Sequence, residues 1–413
     1  MSYKAPLFII FILAPFYPWL GYVVSNKSGI LGAAVGGTKD LLILSVVVLL
    51  LVKLIENKSK FSINVPRQSI LFIFWFVYVT LHVIGHTYYY SPLLILDGIR
   101  YLWLYCLLAL FVLIAINPEE IPLGTVQKIV MIQFCLVLLW GVIEFLDPNI
   151  TVTLYGLNER ADMYYAKYGP KDRIIASFIN PIIYGAFLCF GISCYFVKTL
   201  NYMFRFKWVI FWVVAILGFG ICILTLSRLA TICYFFLLLH FFVYNLFNRT
   251  FTPIYIISGL LTISIPYVLS ILDDFIILAE RLTGLFDVET YSGNLRITRM
   301  DNILNYLDNI IDWAWGLGIG ASFPGAMIGV ENSMVTSLVE LGIVGLLCYV
   351  LIIIHGFFIV FTSSKIEYKD KIFFYLVFFV CLVMGVGNDF IKIFPFSFYF
   401  WFFYAYVIVY DAR

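Results

Sequence analysis

Residues 208–246 read WVIFWVVAILGFGICILTLSRLATICYFFLLLHFFVYNL, and Arg228 is the one Lys, Arg, Asp or Glu among them. As a single α-helix rising 1.5 Å per residue, the run would extend about 58 Å. A bilayer's hydrocarbon core is about 30 Å thick. The run is therefore two spans joined by a tight turn, and Ser227-Arg228 is the polar punctuation near its middle. "TLSRLA", residues 225–230, is expected to be a short hairpin at a membrane face, with Arg228 reaching interfacial water.

The composition agrees with a membrane protein. The 413 residues are 63% hydrophobic and 12% charged, with mean hydropathy +1.00. Soluble domains average about half apolar and roughly a quarter charged. The net charge of +2 argues neither way about nucleic acid, and none is expected as a partner. All eight cysteines fall in apolar segments without a Cys-x-x-Cys pair, which reads as soft packing rather than disulfides or metal ligation. Twelve spans are expected, at roughly 5–24, 38–56, 69–87, 92–116, 125–146, 175–197, 207–226, 228–247, 252–272, 333–361, 372–388 and 394–410. Lys39-Asp40 cuts the second of these, which makes it the weakest.

Loops 53–68, 198–207 and 362–371 are short and basic, so the positive-inside rule places them in the cytoplasm. Both termini are then cytoplasmic. The chain reads as one integral membrane domain, 1–413, with two long outer loops at 147–174 and 273–332. Arg160, Arg173, Arg228, Arg281, Arg296 and Arg299 all fall on the outer side. Lysine suffices to orient a membrane protein, whereas arginine's planar fork suits phosphate and carboxylate. Headgroup anchoring is the competing reading of that bias.

The first outer loop interleaves Arg160, Lys167, Lys171 and Arg173 with Tyr155, Tyr164, Tyr165 and Tyr168. Basic groups grip phosphate, and aromatic faces pack on sugar rings. Asn180-Pro181 reads either as a helix cap or as part of an anion-favouring helix start. In the second loop, apolar residues recur at helical spacing over 294–311. This predicts an amphipathic helix on the outer face with Arg296 and Arg299 on one side. "GLGIG", residues 316–320, reads as a turn rather than a phosphate cradle. Glu331, in "ENS", reads as a cap for the tenth span or as a base, and Glu340, about two turns inside that span, as a functional group or a helix-pairing group. Asp97 and Arg100 are expected to pair with each other. His82 and His86 have ligand spacing but lack a third partner.

Arg173 with "FINPIIYGAF", "LTLSRLA", an arginine helix ending in "WGLGIG", and "ENSMVTSLVELGIVG" stand in the order and spacing of one family. From span 6 to span 10 the chain resembles the O-antigen polymerase and O-antigen ligase superfamily. The resemblance implies a fold like the C-type membrane glycosyltransferases. It implies action on undecaprenyl-pyrophosphate-linked oligosaccharides at the outer face of the bacterial cytoplasmic (inner) membrane, with no cofactor, nucleotide sugar or metal. A chain-length regulator is a further partner the resemblance allows. Residue by residue, Arg228 matches the Ser-Arg motif, Arg296 the loop arginine with Arg299 its near alternative, and Arg173 the arginine before span 6. Catalysis is then expected from Glu331, Arg228 and Arg296. Substrate binding is expected from Arg173, Arg299, Arg160, Lys171, Asn180 and Asn332. Ligases usually carry a histidine just before the Asn of "ENS"; Glu331 stands there instead, which favours a polymerase. A ligase and a lipid-linked-oligosaccharide flippase are the alternatives.

Overall fold

The computed structural model describes residues 3–27, 29–56, 66–85, 96, 98–156, 173–201, 206–247, 307, 310–322, 332–386, 388–390 and 392–412. Among these residues the chain is helical and contains no strand. In chain order the helices are α1 (Lys4–Leu13), α2 (Tyr17–Lys27), α3 (Gly29–Glu56), α4 (Ile70–Gly85), α5 (Leu104–Ala115), α6 (Leu123–Leu146) and α7 (Pro148–Tyr155). They continue as α8 (Pro181–Asn201), α9 (Lys207–Leu224), α10 (Arg228–Phe247), α11 (Ile310–Trp315), α12 (Ser333–Thr362), α13 (Tyr368–Gly385) and α14 (Phe396–Ala412). A 3₁₀ turn at Arg67–Ser69 leads into α4, and a π-helical turn at Ile99–Trp103 leads into α5.

Six helices in the described residues are long and apolar enough to cross a bilayer: Arg67–Gly85, Leu123–Leu146, Pro181–Asn201, Lys207–Leu224, Arg228–Asn245 and Ser333–Thr362. The protein is thus an all-helical, polytopic membrane protein in its described part. The expected first span is two helices parted around Pro15, whose ring and missing N–H interrupt the backbone ladder. The expected span 252–272 lies outside the described residues. Lys39-Asp40 does not end the second segment, because α3 runs through it. Arg100 Nε donates to Asp40 Oδ2 at 2.7 Å, and Lys39 Nζ lies 2.7 Å from Asp40 Oδ1. The partner expected for Arg100, Asp97, lies outside the described residues.

The chain packs as two compact units: Met1–Ala14 with Gly37–Leu123 and Asn294–Arg413, and Pro15–Gly36 with Gly124–Gly293. The core of the first is α14. Its sequence, FSFYFWFFYAYVIVYDA, has no polar face, and every residue from Phe396 to Val409 is buried. A helix apolar all round belongs inside. Phe11 of α1 meets Phe398 and Phe402 at ring distances of 4.8 and 5.0 Å, and Trp75 of α4 stacks on Trp401 at 5.9 Å. The core of the second unit is α8, buried throughout Tyr184–Cys194 and flanked by α9 and α10. The peripheral helices leave large apolar side chains outside, among them Val213 of α9, Phe236 of α10 and Phe358 of α12. Lipid chains accept such a surface; water does not.

Candidate functional site

The hairpin expected at residues 225–230 is present in the second unit. α9 ends at Leu224, Thr225 and Leu226 turn the chain, and Arg228 is the first residue of α10. Leu226 takes φ 52°, a left-handed conformation that lets the chain reverse at once. Thr225 Oγ1 donates to Cys222 O at 2.6 Å and accepts the Ser227 N–H at 3.2 Å, so one side chain stitches both limbs. Gly185 of α8 lies against this turn. A Cβ there would come within 2.6 Å of Ala230 Cβ and 3.3 Å of Thr225 Oγ1. Only glycine admits that approach.

Arg173 closes the turn from outside. Its Nε donates to Thr225 O at 2.9 Å and its Nη2 to Leu226 O at 3.5 Å, while the Ile174 N–H reaches Leu224 O at 3.2 Å. The last carbonyls of a helix lack intrahelical donors and carry partial negative charge. A guanidinium is well suited to satisfy several at once. Two arginines far apart in sequence, Arg173 and Arg228, thereby come to one turn. Arg228 is half-buried there rather than extended into open water.

Residues 173–180 form a strap held by buried polar groups. Glu144 of α6, 1% exposed, accepts the N–H groups of Ile175 (3.3 Å) and Ala176 (2.8 Å). Tyr155 of α7 donates to Ala176 O at 2.7 Å and accepts the Ile179 N–H at 3.2 Å. Burial pushes the Tyr155 phenol well above its ordinary pKa, so it keeps its proton for that bond. Ser177 Oγ donates to Pro15 O at 2.7 Å. Ala176 and Ile179 adopt positive φ, 44° and 62°, and such strain persists where surroundings impose it. Asn180 then caps α8, accepting the Ile182 N–H at 2.9 Å, with Pro181 in the first turn. α7 itself arises inside the stretch expected to be loop. Asp147 caps it, Pro148 opens it, and Gly156 ends it at φ 67°.

In the first unit, Asn332 caps α12 by accepting the Met334 and Val335 N–H groups at 2.8 and 3.3 Å, and its Nδ2 donates to Val386 O at 2.7 Å. α12 breaks at Gly342, with φ 68° and ψ −171°. The carbonyls released there find outside donors: Leu317 N–H to Val339 O (2.7 Å), Gly318 N–H to Glu340 O (3.0 Å) and Tyr78 O–H to Leu341 O (2.6 Å). "GLGIG" is thus a backbone dock for a broken helix. A Cβ on Gly316 would lie 2.5 Å from the Glu340 carbonyl carbon, and one on Gly342 would lie 2.3 Å from Ala314 O. Glu340 is a pairing group, bonded to Lys392 and to Ser322.

His82 is a packed histidine. Its ring sits 4.9 Å from that of Trp315, and its Nε2 is 2.7 Å from Trp315 O. Among the described residues no cluster of three His, Cys, Asp or Glu side chains could hold a metal. Glu331, Arg296, Arg299, Arg160, Lys171 and most of the expected amphipathic helix 294–311 lie outside the described residues. Three buried ionisable groups escaped the sequence reading: Glu144, Asp389 and Lys392. The signal for Glu144 was present, since it is the one acid inside the expected span 125–146. No family model matches the chain, and no curated protein is similar to it in sequence.

Proposed function

We propose that this protein is a membrane glycosyltransferase that polymerises undecaprenyl-pyrophosphate-linked oligosaccharide repeat units into O-antigen or capsule-type polysaccharide. In this reading it works at the outer face of the bacterial cytoplasmic membrane, with both termini inside. The observation that carries the reading is the meeting of Arg173 and Arg228 on one turn. Both belong to the motif series that resembles the polymerase and ligase superfamily.

The chemistry explains why such a turn is useful. The bond between the donor sugar's anomeric carbon and the pyrophosphate oxygen breaks, and an acceptor hydroxyl forms the new glycosidic bond. Negative charge builds on the departing pyrophosphate at the membrane boundary. Fixed positive charge there lowers the barrier. Arg228 supplies it at the first residue of α10, where the helix dipole adds a favourable contribution. Arg173, bonded to the Thr225 and Leu226 carbonyls, positions the turn. Arg296 and Arg299 of the outer loop add further charge, with Arg160 and Lys171 gripping donor phosphate or acidic sugar. Glu331 takes the proton of the acceptor hydroxyl. Asn180 and Asn332 have their carboxamide oxygens engaged by backbone N–H groups, so each fixes the start of its own helix, α8 and α12.

Surface glycan resolved on gels tests the reading. Cells carrying Arg228→Ala at normal protein level are expected to display single repeat units in place of long ladders. Normal ladders would make Arg228 an interfacial anchor and sink the proposed mechanism. Polymer made but left unattached would assign the chain as a ligase, and complete absence of outer glycan would assign it as a flippase.

A further inference from the structure

Three ionisable side chains meet beside the break in α12. Glu340 is 1% exposed, and the Lys392 and Asp389 side chains are 4% and 12% exposed. Glu340 Oε1 accepts from Lys392 Nζ, from Ser322 Oγ at 2.7 Å and from the Ser322 N–H at 3.1 Å. Lys392 Nζ also donates to Ser322 Oγ at 3.1 Å and lies 3.9 Å from Asp389 Oδ2. Two carboxylates therefore share one ammonium. Glu340 Oε2 and Asp389 Oδ1 are buried, and among the described residues neither accepts a hydrogen bond. A net negative charge with orphaned acceptors is costly in a low-dielectric interior. A second cation is disfavoured, because Lys392 already occupies the position between the carboxylates. A proton removes the excess charge and converts an orphaned acceptor into a donor.

We infer that Glu340, Lys392 and Asp389 form a buried proton-binding site, in which Asp389 takes the proton from water while Lys392 stays on Glu340. The partition follows from the contacts. Lys392 Nζ, Ser322 Oγ and the Ser322 N–H all engage Glu340 Oε1, whereas Asp389 Oδ2 has the ammonium at 3.9 Å with the Thr336 side chain adjacent. Consistent with this, burial raises the Asp389 carboxyl from 3.8 to about 6; Lys392 opposes the rise, and the Glu340 charge adds to it. Among the described residues, the charged or titratable groups bearing on Asp389 are Lys392 on its own loop, and Glu340 and Tyr349 on α12. The loop is tied to the start of α12, since Ser333 Oγ donates to Asn388 O at 2.9 Å. The site lies wholly in the first unit and does not rest on the glycosyltransferase reading.

The folded-state pKa is above the unfolded one. Between about pH 4 and about pH 6 the folded protein therefore binds more protons, and stability falls as pH rises through that window. The experiment compares thermal unfolding of the full chain in lipid nanodiscs at about pH 4 and about pH 8. Asp389→Asn is expected to match the wild type at the lower pH and to unfold a few degrees later at the higher one. Glu340→Gln gives Lys392 to Asp389 and is expected to move the step to lower pH. Infrared pH-difference spectra of the wild type, with ¹³C-aspartate labelling, should contain an isotope-shifted protonated-carboxyl band. Three results would overturn the site: equal pH dependence in wild type and Asp389→Asn, a band unmoved by aspartate labelling, or a band abolished by sodium at constant pH.

Discussion

Arg228 and Asn332 test the site at the scale of single side chains. A charge-assisted contact contributes roughly 1.5–3 kcal/mol. If Arg228 grips pyrophosphate more strongly in the transition state, Arg228→Lys keeps the charge but loses the fork. Polymerisation is then expected to fall by about tenfold to a hundredfold at unchanged protein level. Arg249→Ala, on the cytoplasmic side of the expected topology, should leave glycan ladders unchanged. Asn332 makes a different test. Its Oδ1 holds two N–H groups of α12, so Asn332→Ala should cost about 0.5–2 kcal/mol in thermal unfolding, and Asn332→Asp much less. Loss of activity in Asn332→Asp at full stability would give Asn332 a substrate role beyond capping.

At the scale of elements, the hairpin was legible and the helix break was not. The run 208–246, charged only at Arg228, is too long for one span, and its turn falls at residues 225–227, immediately before Arg228. Gly342 sits in "VELGIVGLL", where glycine is ordinary for a membrane helix. Its docking partner lies upstream in "GLGIG", and nothing local links the two stretches. The strap at 173–180 was half legible. Asn180-Pro181 carried a capping signal, but the carboxylate that holds the strap comes from α6. The break supports a prediction of its own. Alanine at 342 must adopt φ 68° and press on Ala314 O, so Gly342→Ala should destabilise the protein by more than the roughly 1–3 kcal/mol of backbone strain alone. Unchanged thermal unfolding in detergent would mean that residues 314–318 do not hold the break.

For the whole molecule, orientation decides whether the arginines face the proposed substrate. Single cysteines at Lys167 and Asp287, in a background with the eight native cysteines replaced, should label from outside with an impermeant reagent. Lys58 and Lys369 should label only after permeabilisation. The reverse pattern would put Arg228 in the cytoplasm and end the proposed function. Membrane character was readable from composition because apolar helices leave Val213, Phe236 and Phe358 on the outside. The division into two units was not readable, since its boundaries cut an apolar segment at Ala14-Pro15 and a helix at Gly36-Gly37.

The order in which the ribosome makes the chain gives the Glu340–Lys392 pair a consequence for biogenesis. Arg173 is synthesised before the turn carbonyls of Thr225 and Leu226 that it binds, so that contact is available as the hairpin emerges. Glu340 has the opposite history, because its counter-ion lies about fifty residues downstream, beyond α13. At roughly 5–20 residues per second, α12 reaches the translocon seconds before Lys392 exists. A lone acid in a nascent span costs about 2.5–3.5 kcal/mol at the helix centre. The apolar half from Gly342 onward must therefore carry the insertion, and residues 333–341 settle only when α13 delivers the lysine. Nascent chains released before Lys392 should be cleared quickly by membrane proteases, and Glu340→Gln should prolong their lifetime.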